Sequence, residues 1–185
     1  MARQKQLQDL LFVDVETTGL DPTKHELLEV AARRTSPDGQ TILGEYTAKL
    51  RPLNLAAAEP KALEVNKYSE EEWAPEKCVA RDVVVKELHR IAQNCVLVGH
   101  NVSFDEGFLR ALFYQANLQP PWGYHKVDTV ALAWPLYVTK PDLEGVSLVK
   151  LAKYLELPTQ PVHRAAADVA ACHALYMHLM KKWNS

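Results

Sequence analysis

The sequence predicts an α/β protein with a mixed five-stranded sheet, in which an antiparallel three-strand meander is joined by parallel strands and flanked by helices. Two observations support this class. Three strand-like segments separated by turn residues come first, and helix-like and strand-like segments alternate after them. The length of 185 residues suits one folded unit, so we expect a single domain over residues 1–185.

The meander is predicted from residues 10–50. The apolar run Leu10–Glu16 is too short for a helix and is followed by Thr17, Thr18 and Gly19, which predict a turn. Residues 27–35 would also suit a helix. However, Ser36–Gly39 is a strong turn signal before residues 41–50, which favours two strands joined by that turn.

The rest of the chain predicts helices that alternate with short strands. Residues 53–80 carry Pro60 and Pro75 and predict short helices and loops. Ser103 and Glu106 form a capping-box pattern, and Ser147 is a candidate N-cap. The apolar periodicity predicts helices at 84–95, 103–114, 131–137, 148–155 and 165–182, with strands at 96–99 and 127–129.

Composition excludes several classes of protein. The net charge of −2 and the pI near 6.4 argue against a protein that coats a polyanion, so nucleic-acid binding would be local. Three widely spaced cysteines support neither a disulfide framework nor a thiolate zinc site. No apolar stretch reaches the roughly 18 residues that cross a bilayer, and no secretory signal is visible. We therefore expect a cytoplasmic protein without membrane attachment.

Two carboxylates interrupt the first predicted strand. Asp14 and Glu16 stand two positions apart, so both side chains lie on one face of an extended strand. Neither has a basic neighbour in its segment, and burying an unpaired carboxylate costs free energy or raises its pKa. A divalent cation removes that cost, and oxygen ligands favour Mg²⁺ or Mn²⁺ over zinc. Two carboxylates at the exposed end of a strand are the alternative interpretation.

A second polar segment follows the predicted strand 96–99. His100 and Asn101 fall at the carboxyl end of this strand, where the sites of α/β proteins usually lie. Asp105 falls in the first turn of the next helix, where the helix dipole alone already favours an acidic residue. The segment therefore predicts either a metal ligand or an ordinary helix start.

The third candidate pair is His163 and Asp168. Side chains five positions apart on one ideal helix point about 140° away from each other. They converge only if His163 lies in the loop before the last helix and Asp168 lies in its early turns. Pro158 and Pro161 favour such a loop. A surface histidine followed by a helix-start aspartate is the alternative.

Other catalytic chemistry has no support in the motifs. The sequence contains no Gly-x-Ser-x-Gly elbow, no phosphate-binding Gly-x-x-x-x-Gly-Lys-Ser/Thr loop and no His-Glu-x-x-His pair. His173 and His178 fall in the last predicted helix, and we interpret both as surface or partly buried polar residues. The three segments with carboxylates are therefore the only candidate site that the motifs give.

Taken together, these segments resemble the DEDDh family of 3′–5′ exonucleases. The matching stretches are Phe12–Leu20, His100–Asp105 and the pattern His163-x-x-x-x-Asp168, in that order. Glu26–Ala31 and Val127–Thr129 are also similar, and the resemblance extends over nearly the whole chain. Within that family, the sequence is similar to the proofreading exonuclease subunits of bacterial replicative polymerases and to ribonuclease T. The resemblance implies a ribonuclease H-like fold.

The resemblance also implies the cofactor and the catalytic roles. It implies that Asp14, Glu16, Asp105 and Asp168 hold two Mg²⁺ or Mn²⁺ ions, and that His163 is the general base. The chemistry of these groups agrees, because two cations can activate a water and stabilise the leaving 3′ oxygen. A neutral imidazole can take the proton of that water near neutral pH. The product would be a nucleoside 5′-monophosphate.

Substrate contacts are implied by the same resemblance. It implies that the backbone of Thr17 lies near the terminal 3′-OH and that Leu20 is a wedge beside the last base. It implies that Asn101 and Phe104 lie against the terminal nucleotides. For Phe104, core packing at the start of its helix remains an equal alternative.

The function that these implications describe is metal-dependent 3′–5′ hydrolysis of single-stranded DNA or RNA. Trimming of RNA 3′ ends is the alternative enzyme function, and a non-catalytic nucleic-acid or polymerase-binding module is a third. The intact set of carboxylates and histidine argues against the third, because a binding module has no need of it. The expected partners are single-stranded 3′ ends. The sequence ends at Ser185 soon after the last helix. We therefore expect a free-standing nuclease or a homodimer rather than a subunit bound to a polymerase. A polymerase partner stays the alternative.

Overall fold

The sheet of this protein has five strands in the order β3-β2-β1-β4-β5. The computed structural model describes residues 7–158 and 164–184. The first three strands pair antiparallel, β4 runs parallel to β1, and β5 runs parallel to β4. The predicted mixed five-stranded sheet is therefore confirmed. The strands are β1 (Leu10–Thr17), β2 (Leu27–Thr35), β3 (Ile42–Lys49), β4 (Val96–Gly99) and β5 (Lys126–Asp128).

Helices flank this sheet, and the predicted short helices between residues 53 and 80 are present. The helices are α1 (Pro60–Val65), α2 (Arg81–Ile91), α3 (Val102–Gln115), α4 (Thr129–Tyr137), α5 (Leu148–Tyr154) and α6 (Ala165–Trp183), with single 3₁₀ turns at Leu55–Ala57 and Pro75–Lys77. Cys95 was predicted on α2 but lies beyond its end, where it is nevertheless fully buried. Among the described residues, no helix is long and apolar enough to cross a membrane.

The alternation of side chains along β1 separates the two faces of the sheet. Leu11, Val13 and Val15 pack into a core with residues of α2 and α3. Leu10 and Phe12 point the other way and pack against α6. Because strand side chains alternate with a period of two, Asp14 and Glu16 continue the face that α6 covers.

A third core cluster anchors α6 from its outer side. It joins α4, α5 and α6 through Ala133, Tyr137, Leu143, Leu151, Leu175 and Leu179. The clusters hold α6 between the sheet and α4–α5, so the direction of this helix is fixed along its length. Residues at its first turns are consequently presented to the end of β1.

A gap opens where the β1–β4 ladder ends. The two strands pair only from Leu10 to Phe12 along β1, and the chain leaves β4 at Gly99. Beyond that point the N–H of Val15 donates instead to the Asp105 side chain of α3, with an N–O distance of 3.0 Å. Such a crevice at the carboxyl ends of strands is the usual place for a site in an α/β sheet.

The predicted capping interactions are wrong at two helices. α3 begins at Val102 rather than after Ser103, because Asn101 takes a left-handed conformation with φ of 70° and turns the chain into the helix. Glu106, the expected partner of Ser103, is drawn instead to Arg110 and Lys126. At α5, Ser147 occupies the N-cap position without a capping hydrogen bond from its side chain.

Leu175→Ala should lower the free energy of unfolding by about 2–5 kcal/mol, because truncating a buried leucine removes contacts and leaves a cavity. Leu175 is fully buried, whereas Val149 of α5 is 44% exposed. Val149→Ala is the matched control and should change stability by no more than about 0.5 kcal/mol. Urea unfolding of both variants measures the difference. Equal small losses would show that this cluster does not anchor α6.

Candidate active site

Three carboxylates meet at the end of β1. One oxygen each of Asp14, Glu16 and Asp168 lies within 4.8 Å of the others. The first two come from the β1 face that α6 covers, and Asp168 comes from the first turn of α6. The structure therefore brings together three of the four carboxylates that the sequence predicted as metal ligands.

The fourth carboxylate lies beside this group rather than within it. Asp105 is 4% exposed, and its Oδ1 accepts the hydrogen bond from the Val15 N–H. It sits in the first turn of α3, as predicted. Its charge nevertheless contributes to raising the pKa of Asp14, so the two carboxylates are in electrostatic contact.

The electrostatics of the site oppose four ionised carboxylates. Burial, followed by the charges of Asp105 and Asp168, raises the pKa of Asp14 well above its usual range. Burial and then Asp168 raise the pKa of Glu16 to about 7, against the nearby guanidinium of Arg164. Burial also raises the pKa of Asp105, although hydrogen bonds from backbone N–H groups oppose it. The site therefore favours protons or cations at these oxygens.

This donor set fits divalent cations. Each member of the three-residue group offers a carboxylate oxygen, the type of ligand that Mg²⁺ and Mn²⁺ prefer. The group contains no cysteine sulfur or imidazole nitrogen, which zinc would favour. A cation would also relieve the repulsion that raises the pKa values of these acids. The residues of the cluster can therefore hold a divalent metal ion.

A pocket opens beside the acids. Its volume is about 320 Å³, and Glu16 lines it together with Thr17, Leu20 and Phe104. The opposite wall is α1, including Val65. Leu20 is 72% exposed although apolar, so this side chain offers contact surface to whatever enters. Three of the four residues predicted to contact substrate thus line one pocket.

Phe104 and Asn101 differ in their surroundings. Phe104 is half-buried, and its ring packs on Phe108 with centroids 5.1 Å apart, so it serves the core and lines the pocket. Asn101 is exposed, and it is not one of the described residues that line the pocket. Its N–H donates to Asp128 Oδ1 at 3.1 Å, so its backbone links the ends of β4 and β5.

Hydrogen bonds fix the two walls of the pocket to each other. The Asn66 side chain, which follows α1, donates to the Thr17 carbonyl at 2.8 Å, and the Glu59 N–H donates to the Thr18 carbonyl at 2.8 Å. The loop that carries Leu20 is tight as well, because a Cβ on Gly19 would lie 2.6 Å from the His25 ring. Asn66 was missed from the sequence, since its position after a short helix gives no signal.

Two charged residues next to the acids were also missed. Glu29 lies opposite Glu16 in the β1–β2 pairing and is 5% exposed. Arg164 Nη1 lies 3.6 Å from Glu29 Oε2. The signal for Glu29 was a charge within the otherwise apolar segment 27–32. Arg164 gave no signal beyond its position next to His163, and His163 itself lies outside the described residues.

Three other histidines, His100, His173 and His178, have structural partners. His100 forms hydrogen bonds with Thr129 Oγ1 and the Val146 carbonyl, both at 2.9 Å, so it fixes the loop before α5. His173 and His178 are half-buried, as predicted, and contact the carbonyl of Gly39 and the hydroxyl of Tyr137. None of these three histidines belongs to the acid cluster.

Comparison with known proteins agrees with this geometry. The chain is 26% identical over 176 residues to the 3′-5′ exonuclease DinG of Bacillus subtilis (strain 168), covering 95% of this chain and 18% of that protein. It is 29% identical over 191 residues to ribonuclease T of Marinobacter nauticus, covering 94% of this chain and 83% of that protein. The chain thus spans a small part of the first relative and most of the second.

The fold is similar to that of E. coli exonuclease I, solved in complex with single-stranded DNA. The TM-score is 0.84 at 22% identity, over 97% of this chain and 42% of that chain. This likeness confirms the ribonuclease H-like fold that the resemblance implied. The sequence model of the exonuclease family matches residues 11–176, which include the described carboxylates of the site. The chain belongs to the exonuclease family.

Proposed function

We propose that this chain is a metal-dependent 3′–5′ exonuclease domain that acts on single-stranded DNA or RNA and releases nucleoside 5′-monophosphates. One observation carries the proposal: three carboxylates from two elements converge beside a pocket, in a chain of the exonuclease family. Proteins rarely crowd buried carboxylates unless a cation balances them. The DinG relative is a 3′-5′ exonuclease, which supports the direction of cleavage.

In this mechanism, Asp14, Glu16, Asp105 and Asp168 hold two Mg²⁺ or Mn²⁺ ions. When bound, the two ions supply activation of the attacking water and stabilisation of the leaving 3′ oxygen. His163 accepts the proton of the water as general base, which requires its neutral form. Asp105 is oriented for its role by the hydrogen bond from Val15, because that bond fixes one of its two oxygens.

The pocket receives the terminal nucleotide. Its 320 Å³ is at the lower end of the roughly 300–1,000 Å³ range of ligand pockets, which suits one nucleotide rather than a duplex. Leu20 packs beside the last base, the Thr17 backbone lies at the 3′-OH, and Phe104 contacts the sugar or base. Asn101, at the carboxyl end of β4, contacts the next nucleotide. The single-stranded DNA bound to exonuclease I supports a single-stranded substrate.

RNA trimming is the second candidate function. The likeness to ribonuclease T, which covers 83% of that protein, favours it, whereas the DNA complex of exonuclease I favours DNA. A homodimer and a polymerase remain the alternative protein partners. Parallel digestion of labelled single-stranded DNA and RNA of the same sequence distinguishes the two substrates.

Mn²⁺ should raise the unfolding temperature, and the gain should be larger at pH 8 than at pH 6. The raised pKa values mean that the folded acids hold protons which the unfolded chain releases. Without metal, the free energy of unfolding therefore falls as pH rises. The contribution of Glu16 is lost between pH 4.5 and about pH 7, because its pKa is raised from 4.5 to about 7 on folding. A cation at about 100 times its Kd contributes roughly 2.7 kcal/mol. Calorimetric unfolding at both pH values measures the gain.

Chelation provides the control for this prediction. EDTA should abolish hydrolysis, and excess Mn²⁺ should restore it. Asp168→Asn should keep the fold but lose most of the Mn²⁺-dependent gain in unfolding temperature, because it removes one oxygen charge from the cluster. Full hydrolysis in EDTA would contradict the mechanism.

A single strand labelled at its 5′ end should give a ladder of products that shorten with time. The reason is that the pocket admits one terminal nucleotide, so each turnover removes one. The weakly negative chain offers no broad basic track for a duplex, so blunt duplex DNA should be cleaved more slowly. Denaturing gel electrophoresis measures both. Cleavage of a closed single-stranded circle, or immediate release of the 5′ label as a mononucleotide, would be incompatible with this polarity.

His163→Ala should lower the single-turnover rate by roughly 10²–10⁴-fold, which is the usual contribution of a positioned general base. Its Mn²⁺ affinity should remain that of the parent, whereas Asp168→Asn should lose affinity as well as rate. The parental rate should rise through about pH 6–8, because the base must be neutral. Calorimetric Mn²⁺ titration and quench-flow rates test both variants. A parental rate for His163→Ala at about pH 7.5 would exclude this histidine as the base.

A further inference from the structure

A buried carboxylate outside the four predicted ligands adjoins the site. Glu29 lies between Glu16 and Lys49 in the strand register, so the three side chains form a row across β1, β2 and β3. Glu29 is 5% exposed, and within the described part of the chain its Oε2 accepts no hydrogen bond. Lys49 does not neutralise it, because its ammonium pairs with Glu72 at 2.7 Å. Among the described residues, Arg164 is therefore the cation that Glu29 contacts.

Arg164 is held from three sides. Its Nη1 lies 3.6 Å from Glu29 Oε2, and its Nη2 lies 3.4 Å from Glu72 Oε2. The guanidinium carbon lies 5.9 Å from the ring centroid of Trp73, within the range of a cation–π contact. Trp73 is itself fixed, since it is 1% exposed and its Nε1–H donates to the Leu28 carbonyl at 2.9 Å. A planar guanidinium suits simultaneous contact with two carboxylates and a ring better than an ammonium does.

The backbone of Arg164 begins the helix that carries Asp168. Arg164 is the N-cap residue of α6, and its carbonyl accepts the N–H groups of Ala167 and Asp168 at 2.8 and 3.1 Å. Contacts that hold Arg164 in place therefore also hold the first turn of α6 in place. That turn determines where the Asp168 carboxylate lies relative to Glu16.

We propose that Arg164 is a positioning residue for the carboxylate site. The contacts of its guanidinium with Glu29, Glu72 and Trp73 hold the first turn of α6 so that Asp168 meets Asp14 and Glu16. This inference rests on the proposed function, because it assigns Arg164 a part in the same metal site. In this role Arg164 acts through the position of Asp168 and not by contact with a cation or with the reacting atoms.

Electrostatics alone predict the opposite effect of Arg164 on metal binding. A guanidinium near Glu16 repels an incoming divalent cation, so removing its charge would tighten metal binding if charge were all that mattered. Removing a positioning contact displaces the Asp168 oxygen and weakens metal binding. The sign of the change in Mn²⁺ affinity therefore separates the two roles.

The experiment compares Mn²⁺ affinity and turnover in matched variants of the full chain. Arg164→Gln should weaken Mn²⁺ binding and lower kcat, each by about 10–100-fold, with KM within about twofold of the parent; these are typical losses when a group that orients a metal ligand is removed. Glu72→Gln should move both quantities in the same direction by less, since the contacts of Arg164 with Glu29 and Trp73 remain. Isothermal titration with MnCl₂ and steady-state cleavage of a single-stranded oligonucleotide provide the readouts.

Glu70→Gln is the matched control. This substitution removes the surface ion pair between Glu70 and Arg51, whose atoms lie 2.9 Å apart, two positions before Glu72. The described residues show no ion pair between Glu70 and Arg164. It should bind Mn²⁺ and cleave like the parent. Arg164→Lys keeps the charge but loses the planar group that contacts both Glu29 and Glu72. It should therefore recover only part of the Mn²⁺ affinity that Arg164→Gln loses.

Three results would overturn the inference. Tighter Mn²⁺ binding by Arg164→Gln would make Arg164 a counter-charge only. A raised KM with parental Mn²⁺ affinity would make it a substrate contact. A lower unfolding temperature with parental affinity and kcat would leave only a role in stability.

The design also allows for a folding defect. If Arg164→Gln alone does not fold, because Glu29 is left buried and unpaired, the double variant Glu29→Gln/Arg164→Gln removes both charges and should show the same loss of Mn²⁺ affinity. Parental affinity in the double variant would contradict the inference. A parent protein that neither binds Mn²⁺ nor cleaves would refute the proposed function itself, whereas an active parent with unaffected Arg164 variants would refute only this inference.

Discussion

Repulsion among carboxylates is the constraint on which the rest of this structure depends. Asp14, Glu16 and Asp168 present oxygens within 4.8 Å of one another, and burial raises the pKa of Asp14 and Glu16 further. A flexible chain would relieve such crowding by moving apart. The acids stay together because packing that does not involve them fixes both β1 and α6. Leu10 and Phe12 of β1 pack against one side of α6, and the cluster formed with α4 and α5 packs against its other side. Apolar burial thus offsets the electrostatic cost of holding these acids together.

The end of the β1–β4 ladder determines how Asp105 comes to lie beside this group. A longer β4 would pair with the Val15 N–H, and no group of α3 could reach it. Because β4 ends at Gly99, that donor is free for the Asp105 carboxylate, which reaches β1 from the opposite face of the sheet from α6. The site therefore combines one strand with helices from both faces, and the gap between β1 and β4 is what admits them.

The sequence allowed prediction of the fold class and of three converging segments, because strand alternation and helix periodicity are local properties. Asp14 and Glu16 share a face for the reason the period of two predicts, and Asp168 lies in the first turn of the last helix as required. The Ser103 cap was wrong because Glu106 has stronger partners from distant segments, Lys126 and Trp122. Glu29 and Arg164 were not recognised because their contact joins a strand to a helix 135 positions later, and only the folded register brings them together.

In the proposed function, the charge of the site would also determine the order in which metal ions and substrate bind. A nucleic-acid phosphate is an anion, and where these acids are ionised and no cation is bound, Asp14, Glu16, Asp105 and Asp168 would repel it. Arg164 opposes that repulsion but is already engaged by Glu29 and Glu72, so its charge is largely compensated within the protein. Divalent cations at the carboxylates would offset that repulsion. In the proposed mechanism, productive binding of the strand would depend on the metal ions, and the position in which α6 holds Asp168 would affect both metal affinity and the placement of the scissile phosphate.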